Sequence, residues 1–405
     1  MTVETEVVVI GGGATGVGVA RDLAMRGVDV TLLERDAGLN AGTSGRSHGV
    51  LHSGARYAES DPDGARDCLQ ENQILREIAG DCIDDTGGLF VRLAADDPAY
   101  FDRKLDACRE LGMEPRRLDA DELRERVPAI ADHVEEGFAV PDGVVSPARL
   151  VAATAASARE HGATIHTDAP VTDIDADPDS PKRLTVSVAD GASIAAEAVV
   201  NAAGPWAGAV AAMSGAELGM RPTRGVMVAV DYADLGPVLN RCREPADGDI
   251  VVPHGRQAVL GTTSVAVDDP DEFDRADWEV DRTVSECADM LPALADASVE
   301  RTYWGLRPLY EPDELAREGR GISRDFAVVS HDDAPGLVSV VGGKLTTYRL
   351  MADAVADRVC GTLGVEEPCR TAEEPLPGVD SADRLDELAR EFGTVGPADA
   401  DVVGQ

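Results

Sequence analysis

The sequence predicts an α/β protein carrying an α+β insertion, and three observations support that reading. Apolar runs rich in β-branched residues recur near the start, middle and end of the chain: Glu6-Val7-Val8-Val9-Ile10, Val199-Val200-Asn201, and Gly336 to Val341. Each runs into a glycine turn. Uniformly apolar runs of this length fit parallel strands buried on both faces. Between them lie short strand patterns and loops, which read as a β-rich region inserted into a discontinuous first domain.

The elements follow in order. Glu6 to Ile10 is a strand, Val17 to Arg26 a helix stopped by Gly27, and Val28 to Leu33 a second strand ending at Glu34, which makes a βαβ unit. An amphipathic helix runs from Pro62 to about Gly80. Two more cover Asp102 to Gly112 and Asp119 to Arg126, the second broken by Pro128. Ser146 is placed to cap a helix with Pro147 at its first position, running through Arg159 to His161-Gly162. Strands alternate from Thr164 to Ala198 around an Asp/Pro turn. Met220 to Phe326 holds short strands and one helical stretch near Asp281 to Leu294. A helix from Thr346 to Leu363 follows Gly342-Gly343, and Ala382 to Phe392 is helical within an acidic tail. Residues 1–95, 145–219 and 325–370 are thus expected in the first domain and 96–144 and 220–324 in the insertion. Residues 371–405 are expected to be a C-terminal extension that begins a further region.

Seventy-five acidic residues face 37 lysines and arginines, a formal net charge of −38, and only Lys104, Lys182 and Lys344 are lysines. Such a surface attracts neither nucleic acid nor anionic lipid. With acid tags such as Asp173, Asp175, Asp177 and Asp179, it points to adaptation to high salt. The seven cysteines form no Cys-x-x-Cys pair, so no zinc or iron–sulfur site is expected, and their scatter suits a reducing cytoplasm. The N-terminus enters a strand with no signal sequence. No apolar run approaches the roughly 20 residues of a membrane helix, so any attachment to a membrane is expected through partners.

Gly11-x-Gly13-x-x-Gly16 lies between the first strand and its helix. The first glycine allows the tight turn, the second the approach of a pyrophosphate, and the third close helix packing. The helix N-terminus faces the phosphates. Glu34 follows about twenty residues on, as ribose 2′-hydroxyl recognition requires, and disfavours a 2′-phosphate. Two further glycine turns, at Ala203-Gly204 and Gly342-Gly343, and the small-residue loop Gly42-Thr43-Ser44-Gly45-Arg46-Ser47 suit a longer cofactor, FAD rather than NAD. The helix opening after Lys344-Leu345-Thr346 is placed to stabilise negative charge on a reduced flavin. The expected cofactor residues are Gly11, Gly13, Ala14, Thr15, Gly16, Glu34, Arg35, Thr43, Ser44, Arg46, Ser47, Ala203, Gly204, Gly343, Lys344, Leu345 and Thr346.

These residues resemble those of the FAD-dependent glycerol-3-phosphate dehydrogenases. The likeness rests on Gly11 to Gly16, Gly42-Thr43-Ser44, His52 to Tyr57, Asn201 to Trp206, Gly305-Leu306-Arg307-Pro308-Leu309 and Gly342 to Arg349. Leu51 to Ala58, Glu71 to Leu75 and Val140-Pro141-Asp142-Gly143 resemble the A-type subunit of the anaerobic enzymes. The similarity runs from Glu6 to about Pro377. It implies a Rossmann-like FAD domain of the glutathione-reductase kind, in the D-amino-acid-oxidase branch, with a β-rich substrate domain. It implies oxidation of sn-glycerol 3-phosphate to dihydroxyacetone phosphate. It further implies a second flavin subunit, together with a membrane-attached iron–sulfur subunit, leading electrons to quinone, hence a cytoplasmic chain held at the inner face of the membrane. The anaerobic relatives continue into a cysteine-rich region, whereas this sequence reaches Gln405 before one. Where aerobic relatives have a histidine after the counterpart of Arg224-Gly225, Val226-Met227 stand here.

By resemblance, Arg56 and Arg324 anchor the substrate, Arg307 and Lys344 act at the alcohol oxygen, and Tyr57 and Thr347 add hydrogen bonds. Arginine suits an anion through bidentate bonds. Lys344, one of three lysines, sits at a helix N-terminus where a cation is disfavoured, a local conflict that points to function. His52 and His254 are candidate proton acceptors, beside water and Lys344. Arg116, Arg117, Arg124 and Arg126 read as solvated helix faces. Two other readings stand: an FAD enzyme acting on an amino or 2-hydroxy acid, whose carboxylate also calls for arginine, and a non-catalytic FAD-bearing chain.

Overall fold

The protein, seen in a computed structural model, is described over residues 2–176, 184–310 and 326–394. A six-stranded sheet orders Thr164–His166, Val30–Leu33, Val7–Ile10, Ala198–Asn201, Leu337–Gly342 and Phe326–Ser330. All neighbours run parallel except the last pair. Alternate side chains of one strand serve two different cores. Val7 and Val9 join the helices Ala14–Met25, Pro147–Glu160 and Tyr348–Leu363. Val8 and Ile10 meet Ile174, Leu184 and Val186 of a four-stranded sheet. With side chains alternating along a strand, both faces are dry only if every residue is apolar, which is why the run carries no polar residue.

Helix Ala14–Met25 packs tightly on Tyr348–Leu363, since a Cβ on Gly18 would lie 3.1 Å from the Cβ of Ala352. Ser146 Oγ accepts from Arg149 N at 3.4 Å, with Pro147 opening the helix as expected.

The second layer is a nine-stranded sheet. Its long strand Thr223–Asp231 pairs with Val299–Arg307, and the sheet runs on through Gln257–Gly261, Ile250–His254, Val238–Arg241, Gly88–Leu93 and Val134–Val140 to Arg116–Asp119. Val226, Val228 and Val230 pack on one face with Cys287 and Met290 of helix Asp277–Met290. Met227, Ala229 and Val252 on the other face meet Val50 and Val144, which pair with each other in a separate three-stranded sheet of Val50–Leu51, Gly143–Val145 and Ile83–Asp84.

Three expectations change. Gly88–Leu93, inside the segment to 95 expected in the first domain, belongs to the nine-stranded sheet, between Val134–Val140 and Val238–Arg241. All six of its residues are buried, and only that sheet supplies a partner on each edge. Arg116 and Arg117 stand on a strand rather than a helix, where Arg117 pairs with Glu136 and Asp102. Residues 371–394, expected to begin a further region, pack into the first core: Leu376 N donates to Ile78 O at 2.8 Å, and Leu385 and Leu388 of Ala382–Glu391 are buried there. Asp173 and Asp175 are exposed as expected; Asp177 and Asp179 lie outside the described residues. Six of the cysteines are buried and Cys369 is half-buried, all as free thiols.

Candidate active site

Where the parallel strands end, the backbone opens a cleft of about 410 Å³. Gly11, Gly13, Ala14, Thr15, Glu34, Arg35, Thr43, Ser44, Ser47, Ala203, Gly204, Gly343, Lys344 and Leu345 line it, so most of the expected cofactor residues meet there. Gly11 has φ +112°, and a Cβ on it would stand 2.6 Å from Ala202 O. Gly16 does not line the cleft. Its place is structural, because a Cβ there would lie 1.9 Å from Gly11 O. Ser44 Oγ accepts from Ala14 N at 3.0 Å and joins the small-residue loop to the helix start. Arg46 turns back, Nε donating to Ala41 O at 3.0 Å, and lines a neighbouring cavity instead. Thr346 does not line the cleft, and its Oγ1 accepts from His52 N at 3.0 Å.

The cleft fits a dinucleotide on its own chemistry. Glu34, 8% exposed, accepts from Gly12 N at 2.5 Å and Asp36 N at 2.9 Å, and burial pushes its carboxyl above the usual range. Ribose hydroxyls donating to it would offset that cost. Ser47 lines the cleft, and its Oγ is buried without a partner among the described residues. Buried hydroxyls are seldom left so. Across the mouth, the Arg35 guanidinium lies 4.0 Å over the Trp206 ring, and Trp206 Nε1 donates to Asp271 Oδ1 at 2.8 Å. Arg35 reaches the same carboxylate at 3.5 Å. This clasp, which the sequence reading missed, joins the two layers.

Lys344 carries the cleft into a second group of side chains. Its ammonium rests 4.4 Å from the Tyr57 ring centroid and 3.8 Å from Asp61 Oδ2. These contacts answer the conflict seen in the sequence, a cation at a helix start. Tyr57 meets His52 edge-on at 5.7 Å, and His52 meets His48 edge-on at 5.9 Å. Arg307, at the end of Val299–Arg307, is held by Thr263 O at 3.0 Å and Thr223 Oγ1 at 3.4 Å. Thr347 Oγ1 donates to Lys344 O at 3.1 Å and accepts from Lys344 N at 3.2 Å, so it shapes the turn that presents the lysine.

Two expected residues already have partners in the fold. Arg56 Nη2 lies 3.5 Å from Asp249 Oδ2, a buried carboxylate that also takes Arg243 Nε at 2.8 Å. His254 Nε2 donates to His48 O at 2.9 Å, which spends that proton on the backbone. Arg324 lies outside the described residues. His48 was overlooked, although it stands four positions before His52. Burial first, then the charges of Arg56 and Arg307, push its imidazole down to about 3. Asp142 was also passed over as a chemical group. Fully enclosed, it accepts from Ser53 N and Oγ at 2.7 Å each and from Asn240 Nδ2 at 3.3 Å, and ties the His52 segment to the nine-stranded sheet. Glu71 pairs bidentately with Arg349 at 2.6 and 2.9 Å, and Asn72 donates to Leu51 O and Pro141 O, so that motif is architectural.

Comparison with known proteins decides the family. The model of the FAD-dependent oxidoreductases called DAO matches residues 6–349. The A1 component of the anaerobic glycerol-3-phosphate dehydrogenase of Haloferax volcanii is 46% identical over 407 residues, covering 96% of this chain and 69% of that protein. The chain belongs to the FAD-dependent glycerol-3-phosphate dehydrogenase family. The A-type subunit of the anaerobic enzyme from Escherichia coli K12 is 40% identical over 382 residues, 92% of this chain and 70% of that one. Among solved structures, the FAD complex of the Bacillus halodurans glycerol-3-phosphate dehydrogenase superimposes with a TM-score of 0.72 at 25% identity. It covers 98% of this chain and 76% of that one. Glycine oxidase from Geobacillus kaustophilus shares the fold, at TM-score 0.74 and 24% identity, with 93% and 99% covered. Membership makes FAD the cofactor whose fit the cleft shows.

Proposed function

We propose that this protein oxidises sn-glycerol 3-phosphate to dihydroxyacetone phosphate. One observation carries the reading: Lys344 lines the cofactor cleft and at the same time sits on Tyr57, whose ring meets His52. A cation, a phenol and an imidazole thus stand at the end of the cleft where chemistry on a bound alcohol would occur. Bound FAD supplies the two-electron acceptor for the hydride leaving C2. Arg307 and Lys344 stabilise the negative charge that develops on the C2 oxygen. Of the two histidines, His254 is bound to a carbonyl, and His52, edge-on to the Tyr57 ring that carries Lys344, takes the hydroxyl proton in this reading. Arg56, with part of its charge answered by Asp249, and Arg324 receive the phosphoryl group.

Among the described residues no helix is long and apolar enough to cross a membrane. The anaerobic relatives are named as subunits, and we place this chain in a complex on that ground. A second flavin subunit, with a membrane-attached iron–sulfur subunit, would take its electrons to quinone, holding it at the cytoplasmic face of the membrane. The test is anaerobic bleaching of the flavin absorbance in molar KCl. sn-Glycerol 3-phosphate should bleach it rapidly and yield dihydroxyacetone phosphate. Bleaching by an amino or 2-hydroxy acid instead would overturn the substrate, and a flavin bleached by none of these would overturn the activity.

A further inference from the structure

We propose that His48 is a further substrate ligand, a neutral imidazole whose Nε2 proton is donated to the phosphoryl group. This rests on the functional reading above. Val50 N, which can only donate, reaches His48 Nδ1 at 3.3 Å, so in the neutral ring the proton is on Nε2. The backbone of His48 is pinned by the bond from His254 Nε2 to its carbonyl. Gly261 faces the ring with no side chain of its own: a Cβ added there would stand 3.7 Å from His48 Cδ2, so that side is bounded by backbone with room for a methyl group. Nε2 itself has no hydrogen-bond partner among the described residues and is not sealed in.

The surroundings select the ligand. Arg56 and Arg307 are close enough for their charges to oppose protonation of the ring. A third cation beside two guanidiniums would be repelled; a neutral donor is not. A phosphate offers three strong acceptor oxygens and changes charge near pH 6. An ordinary histidine would change charge over the same range, whereas His48 stays neutral through it and donates to either form. Tyr57 lies against Lys344, and His52 stands between the Tyr57 and His48 rings, so His48 is the member of this row farthest along from Lys344.

The experiment compares His48→Leu, which removes the donor, with His48→Gln, which keeps an N–H near Nε2. FAD content and the visible spectrum of each purified holoenzyme report folding. Flavin difference spectra give Kd for inorganic phosphate and for dihydroxyacetone phosphate, and rapid mixing gives the limiting rate of reduction. In His48→Leu both Kd values should rise by about tenfold to a hundredfold, as for a hydrogen bond to a charged group. The limiting rate should change much less, and His48→Gln should recover most of the affinity. Unchanged Kd values in His48→Leu overturn the proposal. So does a loss confined to the limiting rate, which would mark His48 as a support for His52. If the functional reading itself fails, the wild-type protein binds neither phosphate nor dihydroxyacetone phosphate.

Discussion

The two ends of the cleft are built differently. The end at Gly11 to Ala14 is made of backbone: glycine turns after buried strands, a helix start, and few side chains beyond Glu34 and Ser44. The end at Lys344 is made of side chains drawn from distant segments, with His48, His52 and Tyr57 from one short stretch of chain, Arg307 from the nine-stranded sheet and His254 from another of its strands. A backbone site depends on short-range geometry and fails wholly when one Cβ intrudes. A side-chain site loses one interaction at a time.

The sharpest break of that comparison is Gly16→Val. Its Cβ would meet Gly11 O, a backbone atom that cannot step aside, so the purified protein should contain no FAD and give no cooperative thermal transition of the loaded form. Retention of FAD would show that the turn can shift. Arg307→Ala should act at the other end alone. FAD content stays at one per chain while the rate of flavin reduction by sn-glycerol 3-phosphate falls about 10²–10³-fold, the cost typical of one lost charge-stabilising donor. Loss of FAD in that variant would mean that the two ends are not separable.

The smallest effect is on stability against pH. His48 is held down from its ordinary 6.5 to about 3 in the folded protein. The unfolded chain therefore takes up a proton that the folded one refuses, and stability falls as pH drops from 6.5 toward 3. His48→Gln removes this contribution, so the difference in Tm between wild type and variant should shift in the variant's favour across that window. A constant difference would mean that the ring is not held neutral.

The same contrast explains what was legible in the sequence. The glycine fingerprint, Glu34 and the strands around them are local patterns, and the structure brings them to one cleft. Lys344, which lines the same cleft, stood out because it broke a local rule. His48 was not, since its meaning comes from Arg56, Arg307 and His254, separated from it by up to 259 positions in the chain and brought close by the docking of two sheets. Arg56 looked free because its partner, Asp249, lies almost two hundred residues away. Gly88–Leu93 was misplaced for the same reason: its apolar run specifies burial but not which sheet provides it.

The contact of Arg35 and Trp206 with Asp271 has a thermodynamic consequence. Arg35 and Trp206 belong to the layer that holds the cofactor, and Asp271 to a loop between a strand of the other sheet and helix Asp277–Met290. Arg35, Trp206 and Asp271 all line the cleft, so a bound dinucleotide would lie against the bridge that joins the two layers. Cofactor residence and the seating of one layer on the other are then a single linked equilibrium. The protein's heat resistance should rise with FAD concentration even where the substrate end has been disabled.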